Sequence, residues 1–486
     1  MRISGLASGL DIDAMVKQLM TAERVPLNKL NQQKQLTEWK RDSYREVSTK
    51  LVSFNDKITN SFNLSSAIDS KKASITGASN VLTATATGAA GNSVLNIGVN
   101  NLATATNVIY KGTTGATTIK EIYSGSETSV KIGNATIDFN PDDTIDSFVK
   151  KINSNKDAGV TAVYDSKTGS LSLTNKQTGD SAISLTGELF NGNAQFTTTG
   201  QTMGKDAEVV INGITTKQAS NRFTVNGVEI TLTGVTPAGQ STQVEVNQDV
   251  DKMMDTIKAF VDAYNDSLSL MNQKTSEERY RKYLPLTTEQ RADMKDDEIK
   301  LWDEKAKSGM LKDDSIISKT VSDMRAALTA DVVLPNGEKV NLAQFGITTG
   351  SYSEKGKLHI DETKLRAALE ASPEKATALF GQTDSAATIS NNSADGLFNR
   401  IKKINQTALQ SISDRAGTSK YSSDLTTAFL PKSEMGDQLS ALDRRIDEMN
   451  DRLTMIENRY YQQFTAMETA MNKYNSTSSS LASLLS

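Results

Sequence analysis

The chain has no cysteine and one histidine, His359. Disulfides, thiolate nucleophiles and zinc sites built from Cys and His are thereby excluded. The missing cysteines fit two histories: drift in a cytosolic protein, or selection against oxidation and crosslinking outside the cell. Proline is scarce, at 7 of 486 residues, and aromatics make up 6%. No run of 18 apolar residues occurs, so no segment is expected to span a membrane. From Met1 to Asp13 there is no apolar signal-peptide core, which argues against Sec-type export and leaves another route open. A net charge of −4, without a Lys/Arg stripe interleaved with aromatics, weighs against nucleic acid as a partner. The length predicts about three domains rather than one core.

What is present is a heptad pattern at the C-terminal end. Its a positions are Leu439, Ile446, Leu453, Tyr460, Met467, Tyr474 and Leu481. Its d positions are Leu442, Met449 and Ile456, weakening to Gln463, Ala470 and Thr477 before Leu484. A 3.5-residue apolar repeat keeps one seam turned toward a partner helix. A helix apolar on one narrow stripe cannot bury itself, so the pattern points to assembly rather than catalysis. The first seventy residues also read as helix. Ile12, Met15, Val16, Leu19 and Met20 share a face behind Asp11, Pro26 interrupts or opens a second helix, and Tyr44, Val47, Leu51, Phe54 and Ile58 recur at three-four spacing. Between Leu30 and Tyr44 the stripe is poor despite Leu36 and Trp39. Residues 21–50 carry seven Lys/Arg against four Asp/Glu (+3), and residues 434–460 carry four against seven (−3). Opposite flanking charge favours pairing of the two ends.

Between the ends the texture changes. Residues 76–110 hold no charged side chain and alternate instead, as in Val81-Leu82-Thr83-Ala84-Thr85-Ala86-Thr87. Thr, Val and Ile at period two make strands, and Asn212-Gly213 and Asn226-Gly227 supply hairpin turns. One helix interrupts, running from Thr144 through Ile145, Phe148, Val149 and Ile152. The chain returns to helix at Asp249, with a strong stripe from Val250 to Met271, then makes two small hairpins and a short helix that starts at Ser372-Pro373 and ends at Gly381. The expected fold is α+β and multidomain: terminal helices paired as an antiparallel coiled-coil leg, with two small β-rich domains inserted between them. The expected boundaries are 1–45 with 435–486 for the terminal helices and 46–75 with 249–434 for a helical leg domain. Residues 76–110 with 200–248 make one β-rich domain and 111–199 the second, outermost one.

No enzymatic constellation survives inspection. Gly350 to Gly356-Lys357 is one residue too long for a phosphate loop and carries Leu358 where a hydroxyl belongs. His359 beside Asp361 lacks a Gly-x-Ser-x-Gly elbow. Asn391-x-Ser393-x-Asp395-Gly396 starts like a calcium loop but places Lys402 at its last position. Asp296-Asp297 and Asp313-Asp314 read as helix starts and surface charge.

Several segments carry a resemblance. Ser4-Gly5-Leu6-Ala7-Ser8-Gly9-Leu10-Asp11-Ile12-Asp13 resembles the opening of flagellar hook-associated protein 2, the filament cap. Phe260-Val261-Asp262-Ala263-Tyr264-Asn265, Leu301-Trp302 through Met310-Leu311, Gly356 through Glu362 with Leu379-Phe380-Gly381, and Tyr461-x-x-Phe464 through Met467, Met471 and Leu485 agree with that family. Thr144-Ile145, Lys151-Ile152-Asn153 and Gly159-Val160-Thr161-Ala162 are similar to a short β-α-β motif of flagellins and hook-associated proteins. The resemblance implies a non-enzymatic protein with no cofactor. It implies export through the flagellar type III channel and a homo-oligomeric ring, a pentamer first, at the filament tip. Flagellin, hook–filament junction proteins and an export chaperone are the implied partners. Neither nucleic acid nor membrane is expected as a partner. The partner interface is expected at Leu439, Leu442, Ile446, Met449, Leu453, Ile456, Tyr460 and Met467, with Tyr44, Val47, Leu51 and Phe54. The alternative is a surface adhesin presenting its β domains to host glycans or mucin.

Overall fold

The computed structural model describes residues 11–78, 80–191, 196–384 and 392–485. Ser4 to Leu10, which open the family resemblance, lie outside the described residues. The chain forms two compact units, Met1–Ile68 with Met253–Ser486, and Asp69–Lys252. Its helices are α1 (Ile12–Glu23), α2 (Val25–Lys57), α3 (Ser65–Ile68), α4 (Ile145–Ser154), α5 (Val250–Ser276), α6 (Thr288–Ala292), α7 (Asp296–Lys307), α8 (Ser315–Thr329), α9 (Glu362–Ala371), α10 (Pro373–Gly381), α11 (Leu397–Ala416) and α12 (Glu434–Leu485). The fold class is thus α+β, with helices at both ends and β-rich structure between them.

In the helical unit, local chemistry sets the helix starts. The Asp11 carboxylate accepts the Ala14 N–H at 2.9 Å and caps α1. Pro26 sits in the first turn of α2, where its missing N–H is not needed. From there α2 runs unbroken through residues 30–43, where the apolar stripe is poor, burying Leu30 and Thr37. The buried hydroxyl of Thr37 donates to the Gln33 carbonyl at 2.9 Å, so a polar residue is tolerated on the inner face. A π-helical turn, Ile58–Phe62, follows α2 and places Ile58 and Phe62 inside. The core gathers around Phe260, whose ring lies 4.8 Å from Phe398 and 5.8 Å from Phe54, while Phe398 lies 5.4 Å from Phe380. Such pairs add about 0.5–1.5 kcal/mol each beyond area burial.

Arg400, on α11, is 2% exposed. Its guanidinium donates to the carbonyls of Ala327, Ala330, Asp331, Asn392 and Ser393 at 2.7–3.1 Å. Burial pulls its pKa down while Asp395 and Asp331 oppose that shift. One side chain thereby ties the end of α8 to the start of α11.

The inserted unit has two cores. The first surrounds Leu95, Ile97, Val209, Ile230 and Val244. It includes a five-stranded antiparallel sheet in the order Lys71–Gly77, Thr242–Gln248, Ser93–Asn101, Ala207–Ile211, Ile214–Gln218. A three-stranded sheet, Arg222–Val225, Val228–Leu232 and Leu82–Ala86, contributes to the same core. Alternation decides which side chains go in: Leu95, Ile97 and Val99 are buried along one strand. Asn212-Gly213 and Asn226-Gly227 adopt φ of 51°, 84°, 48° and 76°, the left-handed pairs a two-residue hairpin needs. The second core surrounds Ile119, Phe148, Leu171 and Leu173. It packs α4 with a four-stranded sheet ordered Thr197–Thr202, Asn107–Lys111, Ser170–Asn175, Val160–Asp165, and with a smaller sheet of Ala135–Asp138, Ser129–Ile132 and Leu185–Thr186.

Candidate functional site

Helix α12 presents the heptad stripe. Ser433 starts it, its hydroxyl accepting the Gly436 N–H at 3.0 Å. Leu442, Leu453 and Ile456 are buried, while Leu439, Ile446, Met449 and Tyr460 are half-buried. The cover comes from two helices. Ile12, Val16 and Met20 of α1 bury themselves against Leu453 and Ile456, with Leu27, Met449, Tyr460, Tyr461 and Phe464 at the margin. Two hydroxyls close the edges of this contact: Tyr460 donates to Glu23 at 3.1 Å and Tyr461 to Asp13 at 2.9 Å. Burying each large apolar side chain contributes about 1.5–3 kcal/mol, so this cluster outweighs its rim of hydrogen bonds.

Helix α2 packs against the upper part of α12 in the antiparallel sense. Lys34 pairs with Asp443 at 2.6 Å, and Arg41, further along α2, reaches back to the Leu430 carbonyl at 3.0 Å. Hydrogen bonding to Asp443 raises the Lys34 pKa. Among the described residues Lys34–Asp443 is the one ion pair spanning α2 and α12. Other charges of the two segments pair outside this contact, as in Lys50–Asp266 at 3.1 Å and Arg415–Glu434. A strap between α11 and α12 completes the upper end. Phe429 lies between the guanidiniums of Arg41 and Arg45, 4.0 and 3.7 Å from its ring centre. Gly417, at φ 72°, ends α11, and a Cβ there would meet the Leu430 carbonyl oxygen at 2.4 Å.

The four α2 residues expected at the interface lie outside the cluster that covers the lower seam. Tyr44, Val47, Leu51 and Phe54 are buried, but not in the cluster that holds Leu453 and Ile456. Phe54 packs on Phe260 of α5, and the Tyr44 hydroxyl donates to Asp314, the N-cap of α8. Burial first, then that bond, pushes the Tyr44 pKa well above its ordinary range. The residues that do cover the seam, Ile12, Val16 and Met20, were visible as an apolar face at i, i+4 and i+8. Nothing in their spacing named the helix they meet.

Around and below Phe464 most of the described stripe is exposed, although Thr465 is half-buried and Glu468 is buried. Gln463, Met467, Ala470, Met471, Tyr474, Thr477 and Leu481 are exposed, Tyr474 at 75%. The apolar stripe thus continues for several turns beyond the helices that bury its first half.

The residues tested for chemistry have structural roles. The imidazole of His359 faces Glu354 at 2.7 Å, while Asp361 accepts the Lys364 N–H and caps α9. The Gly350 N–H donates to the Lys357 carbonyl at 2.9 Å, closing a hairpin rather than a phosphate loop. Asp395 pairs with Lys403 at 2.5 Å. Among the described residues no group of three or more His, Cys, Asp or Glu is placed to hold a metal ion. No helix there is long and apolar enough to cross a membrane.

Fold and site together define a class: a multidomain protein whose terminal helices pack antiparallel, with β-rich structure inserted and an apolar helical seam left partly open. Sequence models of the flagellar hook-associated protein 2 N-terminus and C-terminus match residues 8–106 and 204–476. The chain belongs to the flagellar hook-associated protein 2 family. It is 34% identical to flagellar hook-associated protein 2 of Halalkalibacterium halodurans, over 99% of this chain and 99% of that one. It is 26% identical to the Escherichia coli K12 protein of that name, over 98% of this chain and 96% of the other. The fold resembles the crystal structure of the D1-D2-D3 domains of the Escherichia coli flagellar cap protein FliD, with a TM-score of 0.55 and 22% identity, covering 77% of this chain and 96% of that one.

Proposed function

We propose that this chain caps the growing flagellar filament. Several copies, five by the family resemblance, form a ring at the tip. Flagellin subunits are held beneath it, fold there and insert one by one. The chain reaches that site unfolded through the flagellar type III channel, handed over by an export chaperone. Its assembled position puts it against the hook–filament junction proteins first and flagellin afterwards.

The observation that carries this reading is the open lower half of the α12 seam. Met467, Met471, Tyr474 and Leu481 are exposed at helical spacing. Exposed apolar side chains in a continuous row mark a surface meant for another chain. The polar or small residues at the d positions Gln463, Ala470 and Thr477 keep that contact weak enough to be remade at each added subunit. The role requires no active site. The similarity to cap and hook-associated proteins lends no support to an adhesin, and that reading is dropped.

Deleting residues 450–486 is expected to abolish filament growth and release monomeric flagellin into the medium, while the β-rich unit keeps its far-ultraviolet spectrum. Normal filaments from cells carrying that truncation would overturn the assignment.

A further inference from the structure

The short β-α-β motif noted in the sequence is not used by the seam, and its geometry has a purpose of its own. Thr144 caps α4, its hydroxyl accepting the Ser147 N–H at 3.2 Å. Ile145, Phe148 and Ile152 bury the inner face of the helix. Just before its end, Asn153 projects toward the strand Val160–Asp165, the last strand of the four-stranded sheet. The Asn153 side-chain amide donates to the Ala162 carbonyl at 2.8 Å. Its carbonyl oxygen accepts the Ala162 N–H at 2.7 Å.

Ala162 stands opposite Leu173 in the register with Ser170–Asn175. Along an antiparallel strand, alternate residues turn their peptide groups toward the partner and away from it. Ala162 is one that turns them away, to the side where a fifth strand would lie. Asn153 occupies that side with one donor and one acceptor, the same pair a neighbouring strand residue would offer. Aspartate lacks the donor and leucine lacks both, so the motif needs an amide at this position.

The strand so covered is a hazard if left bare. Its sequence, Val-Thr-Ala-Val-Tyr-Asp, is β-prone with one charge at its far end. Val163 is 60% exposed on the outer face, in one cross-strand row with Ser172 and the exposed Ile109. The opposite edge of the same sheet, Thr197–Thr202, is interrupted by a bulge between Thr198 and Gly200. Bulges are a known way to spoil an edge for pairing. The two edges of this sheet therefore carry different protections.

We propose that Asn153 is an edge plug: its amide fills the two outward hydrogen-bonding positions of Ala162 and keeps the strand Val160–Asp165 from pairing with a strand of a second copy of this chain. The inference does not depend on the cap function.

The test uses the full chain and sedimentation velocity over a range of concentrations, with amide exchange read at residues 160–165. Asn153→Ala, and Asn153→Leu, which keeps the side-chain volume, are expected to add species heavier than those of the wild type in proportion to concentration. Exchange at Ala162 should rise at least tenfold in dilute solution. Adding Ala162→Pro to either variant removes the outward N–H without touching a bond to Ser170–Asn175, and should restore the wild-type size distribution. A residue that merely tied α4 to the sheet would predict no such rescue. A wild-type distribution for both single variants, or double variants that associate as much as the single ones, would overturn the plug. So would loss of folding in both single variants, because guarding an edge is not needed for the domain to fold.

Discussion

Tyr264 of α5 lies almost wholly inside the helical unit, its hydroxyl donating to the Gly356 carbonyl at a long 3.3 Å. Burial opposes the phenolate and raises its pKa far above the ordinary 10.0. The sign of the consequence is fixed by linkage. The protonated ring stabilises the fold fully below pH 10, where the unfolded chain is also protonated, and that contribution is lost as pH climbs toward the folded value. Tyr264→Phe is expected to cost about 1 kcal/mol at pH 7, for one hydrogen bond, and to flatten the fall in stability above pH 10. Urea unfolding between pH 7 and pH 11 reads this directly; an alkaline decline as steep as the wild type's would exclude Tyr264 as its source. Tyr44 shows what spacing alone can and cannot tell. Its three-four pattern with Val47, Leu51 and Phe54 marked a buried face correctly. That Tyr44 bonds to Asp314 and Phe54 packs on Phe260 depends on segments more than two hundred residues away, which no local pattern encodes.

Helix α12 follows its heptads closely where it has partners. Leu442, Leu453 and Ile456 are buried, and among the described residues the stripe becomes largely exposed near Phe464, close to where the d positions turn polar at Gln463. An apolar stripe specifies that a helix needs a neighbour, and its weakening specifies where the need falls. Leu453→Ala should cost about 2–4 kcal/mol in the contact with α1, from lost burial and the cavity left behind. Hydrogen exchange is the suitable measurement, because the effect is local: amides of residues 12–23 lose protection while those of the inserted unit keep theirs. Protection unchanged in α1 would mean that the Ile12, Val16 and Met20 cluster does not hold that helix in place. The poor stripe at residues 30–43 had a different resolution. There α2 stays helical because Thr37 satisfies its hydroxyl on its own backbone, and because Gln32 and Lys34 find partners in Pro285 and Asp443.

The whole chain is one helical unit interrupted by an insertion. It enters and leaves the insertion on neighbouring antiparallel strands, with Lys71 paired to Gln248 and Gly77 to Thr242. Ends that meet in this way let a segment fold without its host, since no long closure must be formed. Residues 69–252 expressed alone are therefore expected to fold cooperatively, giving dispersed amide resonances and a single thermal transition for each core or one for both. A collapsed spectrum would show that the insertion relies on the helices for its stability. The sequence models of the family match on both sides of residues 107–203 and leave that stretch between them. The second core, from Val108 to Phe196, lies within it.

By itself the sequence determined what local periodicity and backbone chemistry can carry. It settled the helical ends, the alternating strands, the Asn-Gly hairpins, the absence of thiol chemistry and the family to which the chain belongs. Only the tertiary structure decided which faces meet. It set α1 rather than Tyr44 against the lower seam and buried Arg400 among five carbonyls. It also laid Asn153 along the open edge at Ala162. The physical reason is the same in each case: a stripe or a polar group states a need for burial or for a partner, and the partner is chosen by packing among segments distant in the chain.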